Sequence, residues 1–140
     1  MLKKILRNKC SKKVILVKEL TLTLRGMRGS TVYKIINEAD KFELRLYREK
    51  FINGETVLEL ESSTVIDIYM FIEHMNKCGV ISWDGFHGKH PRNVKDGIMF
   101  DFTAVVNDEQ IISADGSENF PKGYHEFVRG LNNMLETISD

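Results

Sequence analysis

Cysteine is scarce in this sequence. Cys10 and Cys78 are the only two, and neither stands in a CxxC or Cys/His ligand spacing, which excludes a disulfide framework and a thiolate zinc site. Reduced thiols point to the cytoplasm. Long apolar runs are missing as well. Near the start the longest, Val14 to Val17, spans four residues, well short of the roughly 7 of a signal segment or the ~18 of a membrane span. Neither export nor membrane insertion is therefore expected. Net charge is absent, 20 Lys plus Arg against 20 Asp plus Glu, so the uniformly basic field common in nucleic-acid binders is not there. The two prolines, Pro91 and Pro121, leave the strand-like segments unbroken.

An apolar fraction of 42 % with 29 % charged residues is that of a globular chain. At 16.2 kDa it buries nearly 70 % of its unfolded surface by size scaling. Neutrality hides a division, since residues 1–50 hold 14 Lys or Arg and 5 Asp or Glu, whereas residues 51–140 hold 6 and 15. The simpler account is that the halves attract one another in one fold; the other is that the basic half faces phosphate.

Residues 1–13, with six cations and no acid, read as a basic flexible arm, and residues 14–140 as one domain. Leu20, Leu22 and Leu24 alternate with Thr21, Thr23 and Arg25, the period of a strand ending at Gly26 to Gly29. A second strand follows over 31–37. Ala39-Asp40 reverses the chain into Phe42, Leu44 and Leu46, and Asn53-Gly54 is a strong hairpin turn leading to Thr56, Leu58 and Leu60. Ser62 or Ser63 is placed to cap a helix carrying Val65, Ile68, Ile72 and Met75, which Gly79 terminates. After a loop over 80–95, Ile98 to Val106 and Gln110 to Ala114 form two strands, and Pro121 opens a helix with Tyr124, Phe127, Val128, Leu131, Leu135 and Ile138 on one stripe. The expected fold is α+β: an antiparallel sheet made of a four-stranded meander, a helix, a β-hairpin and a C-terminal helix, both helices on one face.

Functional side chains concentrate in Trp83-Asp84-Gly85-Phe86-His87-Gly88-Lys89-His90. Asp84, His87 and His90, with Asp96 nearby, are metal-ligating types, but a glycine-rich loop lacks the helical register their spacing would use, so no metal or cofactor is expected. No GxSxG elbow, activated-cysteine pattern or paired-carboxylate motif accompanies them, so no catalytic residue is assigned. Asp115, Ser117, Asn119 and Glu126 imitate a calcium loop, which Phe120 breaks where glycine is required. Arg25, Arg28, Lys34, Lys41, Arg45, Arg48 and Lys50, with Tyr33 and Tyr47 for stacking, form the only nucleic-acid candidate.

Trp83-Asp84-Gly85-Phe86, Asp96-Gly97-Ile98-Met99-Phe100 and Gly116-Ser117-Glu118-Asn119-Phe120-Pro121 together resemble a group of small bacterial domains to which no activity is attached. Their shared features are a Trp before a glycine loop, an Asp-Gly strand start and a Gly-Ser-x-x-aromatic-Pro turn before the last helix. Glu118 departs from the usual Asn. The resemblance covers about residues 80–136 and implies a hairpin plus terminal helix, with Trp83, Phe120 and Pro121 packed together. The sequence is therefore read as a non-catalytic binding module for a protein or peptide, regulatory or immunity-like. Its candidate binding loop comprises Trp83, Asp84, Phe86, His87, His90, Asp96, Ser117 and Asn119. The alternatives are an enzyme or small-ligand binder on that loop, and nucleic-acid binding by the basic half.

Overall fold

In the computed structural model, residues 12–27 and 29–136 are described. Most of the expected basic arm, and Ile138, lie outside them. The described residues are α+β, with a seven-stranded, mostly antiparallel sheet and two helices: β1 (Val17–Gly26), β2 (Gly29–Glu38), β3 (Lys41–Ile52), β4 (Glu55–Ile66), α1 (Ile68–Cys78), a 3-10 turn (Val80–Trp83), β5 (His87–Gly88), β6 (Met99–Val106), β7 (Gln110–Ser117) and α2 (Tyr124–Glu136). Sheet order is β4-β3-β2-β1-β6-β7-β5. Strands β1 to β4 pair antiparallel in chain order, and β6 joins them by pairing with β1. An antiparallel sheet throughout was expected; instead the two-residue β5 pairs parallel with β7, through His87↔Asp115 and Gly88↔Gly116.

Alternation of side chains fixes the two faces. Leu20, Leu22, Tyr33, Ile35, Leu44, Phe100, Phe102, Ala104, Ile112 and Ala114 are buried in one cluster with Phe71 and Met75 of α1 and Tyr124, Phe127 and Leu131 of α2. The opposite face, where Asp101, Thr103, Ile111, Ser113 and Asp115 are exposed, carries no helix among the described residues. Trp83 closes the core, edge-on to Phe102 and Phe127 at centroid distances of 5.1 and 5.4 Å. Gly123 lets α2 start close to α1, since a Cβ there would stand 2.0 Å from the Cys78 carbonyl oxygen.

Two expectations are corrected. The first helix does not start at Ser62 or Ser63. Strand β4 runs on to Ile66, because Ser62 to Ile66 pair with β3 and Thr64, Val65 and Ile66 are β-branched. Asp67 caps the helix, its carboxylate accepting from the N–H groups of Tyr69 (2.9 Å) and Met70 (3.4 Å). Val65 is thus a strand residue, 62 % exposed. Leu58 and Leu60 likewise leave the core face. Register shifts between Leu46 and Tyr47, which pair with Ser62 and Leu60, and the extra residue, Glu61, turns the distal part of β4 over. Leu60 is left opposite Tyr47 on the helix-free face, and both leucines are about half exposed.

Candidate functional site

The loop between α1 and β6 is held from both sides. Asp84 accepts from the Ser113 N–H at 2.9 Å, Gly85 N–H donates to Ser113 C=O at 2.8 Å, and Asp115 N–H donates to Phe86 C=O at 3.0 Å. Phe86 lies against Phe100, and Asn119 donates to the Lys89 carbonyl at 3.2 Å. Gly88 and Gly116 face each other where the loop meets β7; a Cβ on either would strike the Asn119 carbonyl oxygen, at 2.2 and 2.4 Å. Trp83, Asp84, Phe86 and Asn119 therefore serve as the frame of the loop, with the Trp83 indole N–H on the Lys122 carbonyl at 2.9 Å.

That frame carries three of the remaining candidates to one place. His87 Nδ1 bonds the Asp115 carboxylate, and His90 Nδ1 lies 2.7 Å from Ser117 Oγ. His90 Nε2 is 2.5 Å from the Val94 carbonyl oxygen. A carbonyl only accepts, so Nε2 carries the proton; in the neutral ring Nδ1 then presents its lone pair and the Ser117 hydroxyl donates. These groups line an open depression of about 320 Å³ with Arg25, Lys89 and Asp101. Asp101 stands opposite Asp115 in the β6–β7 register. Asp96 is exposed in the turn before Gly97 and is not among the lining residues. Among the described residues no group of three or more His, Cys, Asp or Glu side chains is placed to hold a metal ion.

A larger concavity, which the sequence reading missed, follows α2. One depression of about 560 Å³ is lined by Leu24, Ile98, Phe120, Val128, Arg129 and Asn132 among others. A second, about 320 Å³, shares Leu24 and Ile98 with it and reaches Arg25, Thr31 and Arg48. A third, about 390 Å³, shares Asn132 and Glu136 with the first and Arg48 with the second. Together they form a groove between α2 and the sheet beyond the core. Asn132, which lines it, accepts from the Tyr33 hydroxyl at 2.7 Å. Burial pushes the Tyr33 phenol above its ordinary range, and burial does the same more strongly for Tyr124, which lines the groove. The one signal in the sequence was the apolar character of Leu24, near the end of β1, and Ile98, just before β6; their convergence with α2 depends on β1 pairing with β6.

The basic candidates divide. Arg25, Lys34, Lys41, Arg45 and Tyr47 share the helix-free face, whereas Arg48 and Lys50 alternate to the other side. Several are paired within the fold: Arg45 with Glu43 (2.5 Å), Arg48 with Glu61 (3.1 Å) and Lys50 with Glu59 (2.9 Å). The hydrogen bonds Arg45 donates to Tyr47 and Glu43 raise its pKa further. Tyr33 is buried and not open to stack on a base. No helix among the described residues is long and apolar enough to cross a membrane. Compared with known proteins, the chain matches no family model and no curated sequence.

Proposed function

We propose that the chain is a protein- or peptide-binding module, acting in the cytoplasm in a regulatory or immunity-like role, that seats a partner segment in the groove along α2. The observation that carries this is the continuity of the groove: three depressions joined through Leu24, Ile98, Arg48, Asn132 and Glu136. Its apolar wall of Leu24, Ile98, Phe120 and Val128 takes an aliphatic or aromatic side chain. Arg25 and Arg129, neither in an ion pair with any described residue, favour carboxylates beside it. Selection of displayed random peptides on the full chain is expected to enrich an apolar residue flanked by Asp or Glu, with affinity falling about tenfold or more in Val128→Lys and Arg129→Glu. Enriched peptides that bind both variants as well as the parent, or no enrichment, would remove the groove as the binding site.

A second reading, an enzyme on the loop, draws on the hydroxyl-to-imidazole bond. Ser117 Oγ would attack an acyl carbon as its proton passes to His90 Nδ1, and the ester C–O bond would break with that proton going to the leaving alkoxide. The Val94 carbonyl holds the imidazole in the tautomer this requires. A fluorophosphonate probe is expected to give one adduct at Ser117, lost in His90→Gln. No adduct, or one elsewhere, leaves the hydroxyl a structural donor.

A further inference from the structure

Helix α2 crosses the sheet instead of lying along a strand. Phe127 meets Phe102 of β6, Asn132 is bonded by Tyr33 of β2, and Leu135 and Glu136 line one depression with Leu46 of β3 and Ser62 of β4. On its outer flank His125, Val128, Arg129, Asn132 and Glu136 recur at helical spacing and face the groove over the whole length of the helix. The five strands from β6 to β4, at about 4.8 Å spacing, measure about 19 Å across. The 13 residues of α2, at about 1.5 Å each, measure the same.

Under the groove the sheet outlasts its helical cover. In register across β1, β2 and β3, Leu20, Ile35 and Leu44 are buried, whereas Leu24 and Thr31 are half-buried and Arg48 is exposed. Beyond the buried Leu22, β1 continues to Gly26, about 13 Å of strand. That is room for one helix at the usual spacing of about 8–10 Å from its neighbour.

The direction of this strip decides the backbone of what lies in it. An extended segment adds to a sheet only along a free edge. The groove instead runs across β6, β1, β2 and β3, each paired on both sides, and meets β4 only at one end. An extended segment laid across them would bury a row of N–H and C=O groups with no ladder to pair them, whereas a helix bonds its own. Of the charges in the groove, Arg48 is paired with Glu61 at 3.1 Å and Glu118 accepts from the Ile98 N–H at 2.5 Å. Arg25, Arg129 and His125 face the partner beside Leu24 and Ile98, and Glu136 stands at the C-terminal end of α2.

We infer that the partner segment is an acidic, amphipathic α-helix of about 13 residues that packs alongside α2 on this strip. This rests on the groove reading above and names the conformation and charge of what the groove receives. Apolar side chains at i, i+3 or i+4 and i+7 meet Leu24, Ile98, Phe120 and Val128, and carboxylates flanking that stripe meet Arg25 and Arg129.

Two libraries displayed against the full chain test this. One randomises the outer face of a helical hairpin scaffold; the other holds linear peptides of equal length with proline at every third position, which bars a helix. Enrichment is expected from the helical library alone, with apolar residues at i, i+3 or i+4 and i+7 beside Asp or Glu. Affinity should fall about tenfold or more in Val128→Lys, Arg129→Glu and Arg25→Glu. Where Val128→Lys alters the melting of the chain, the two exposed arginine variants decide. Proline-library binders that those variants weaken, as tight as the helical ones or tighter, overturn the helix and keep the groove. Helical binders unchanged in every variant, or no enrichment from either library, overturn both. Binders displaced by raising the concentration of the chain itself would put a second copy in the groove and overturn the inference.

Discussion

The indole N–H of Trp83 donates to the main-chain carbonyl of Lys122 at 2.9 Å, tying the 3-10 turn to the chain that enters α2. The ring is 1 % exposed and wedged between Phe102 and Phe127. Trp83→Ala is therefore expected to cost about 3–5 kcal/mol, the usual penalty for deleting a buried large aromatic. Trp83→Phe keeps ring contacts but leaves the Lys122 carbonyl unpaired, for a smaller loss of about 1–3 kcal/mol. Urea titrations followed by circular dichroism check both, and an alanine variant as stable as the parent would place the indole outside the core.

The β2–β3 reversal contains a strained residue. Ala39 and Asp40 have φ of 51° and 63°, the left-handed pair of a two-residue hairpin turn. Alanine is poorly suited to that region, which costs a residue with Cβ about 1 kcal/mol or more, whereas asparagine bonds locally and tolerates it. Ala39→Asn is expected to stabilise the fold by about 0.5–1 kcal/mol, and Ala39→Val to destabilise it by about 1 kcal/mol. Urea midpoints in the order Asn, Ala, Val are the check; the reverse order would mean that contacts of the Ala39 methyl outweigh backbone strain.

Much of the sheet was legible because its signals are local. Alternating Leu20, Leu22 and Leu24, the Asn53-Gly54 turn and the Gly79 terminator each act within a few residues, and each lies where the sequence placed it. The distal β4 was misread because Leu58 and Leu60 keep the right period while one inserted residue, Glu61, changes their face; periodicity cannot report a bulge that lies between two equally plausible registers. The extent of β4 was misread for a related reason. Ser62 and Ser63 resemble helix caps, but pairing with β3 outweighs a local cap. As for the site, the loop was found because its side-chain types are unusual, whereas the groove along α2 is built of ordinary residues that meet only through long-range pairing.

Asp67 provides a direct test of that helix boundary. Its carboxylate accepts from two first-turn N–H groups, so Asp67→Ala is expected to cost about 1 kcal/mol, while Ser62→Ala stays within about 0.5 kcal/mol. Asp67→Asn should retain most of the stability. Equal losses for Asp67→Ala and Ser62→Ala in denaturant titration would move the cap back towards the serines.

The last expectation concerns alkaline pH. Burial raises the phenol pKa of both Tyr33 and Tyr124 above the ordinary 10.0, with the neighbouring phenol and Glu118 adding to the effect at Tyr124. A folded-state pKa above the unfolded one means the native state holds its proton when the unfolded chain has released it. The contribution to stability is therefore complete below about pH 10 and is lost as pH rises beyond that. Urea midpoints measured upward from about pH 9 should fall steeply once pH passes 10, and Tyr124→Phe should flatten that fall. Tyr33→Phe should flatten it too, but from a lower starting point, because it also removes the bond to Asn132, worth about 1 kcal/mol while the phenol holds its proton. An alkaline limb unchanged in both phenylalanine variants would show that these hydroxyls are solvated in the native state.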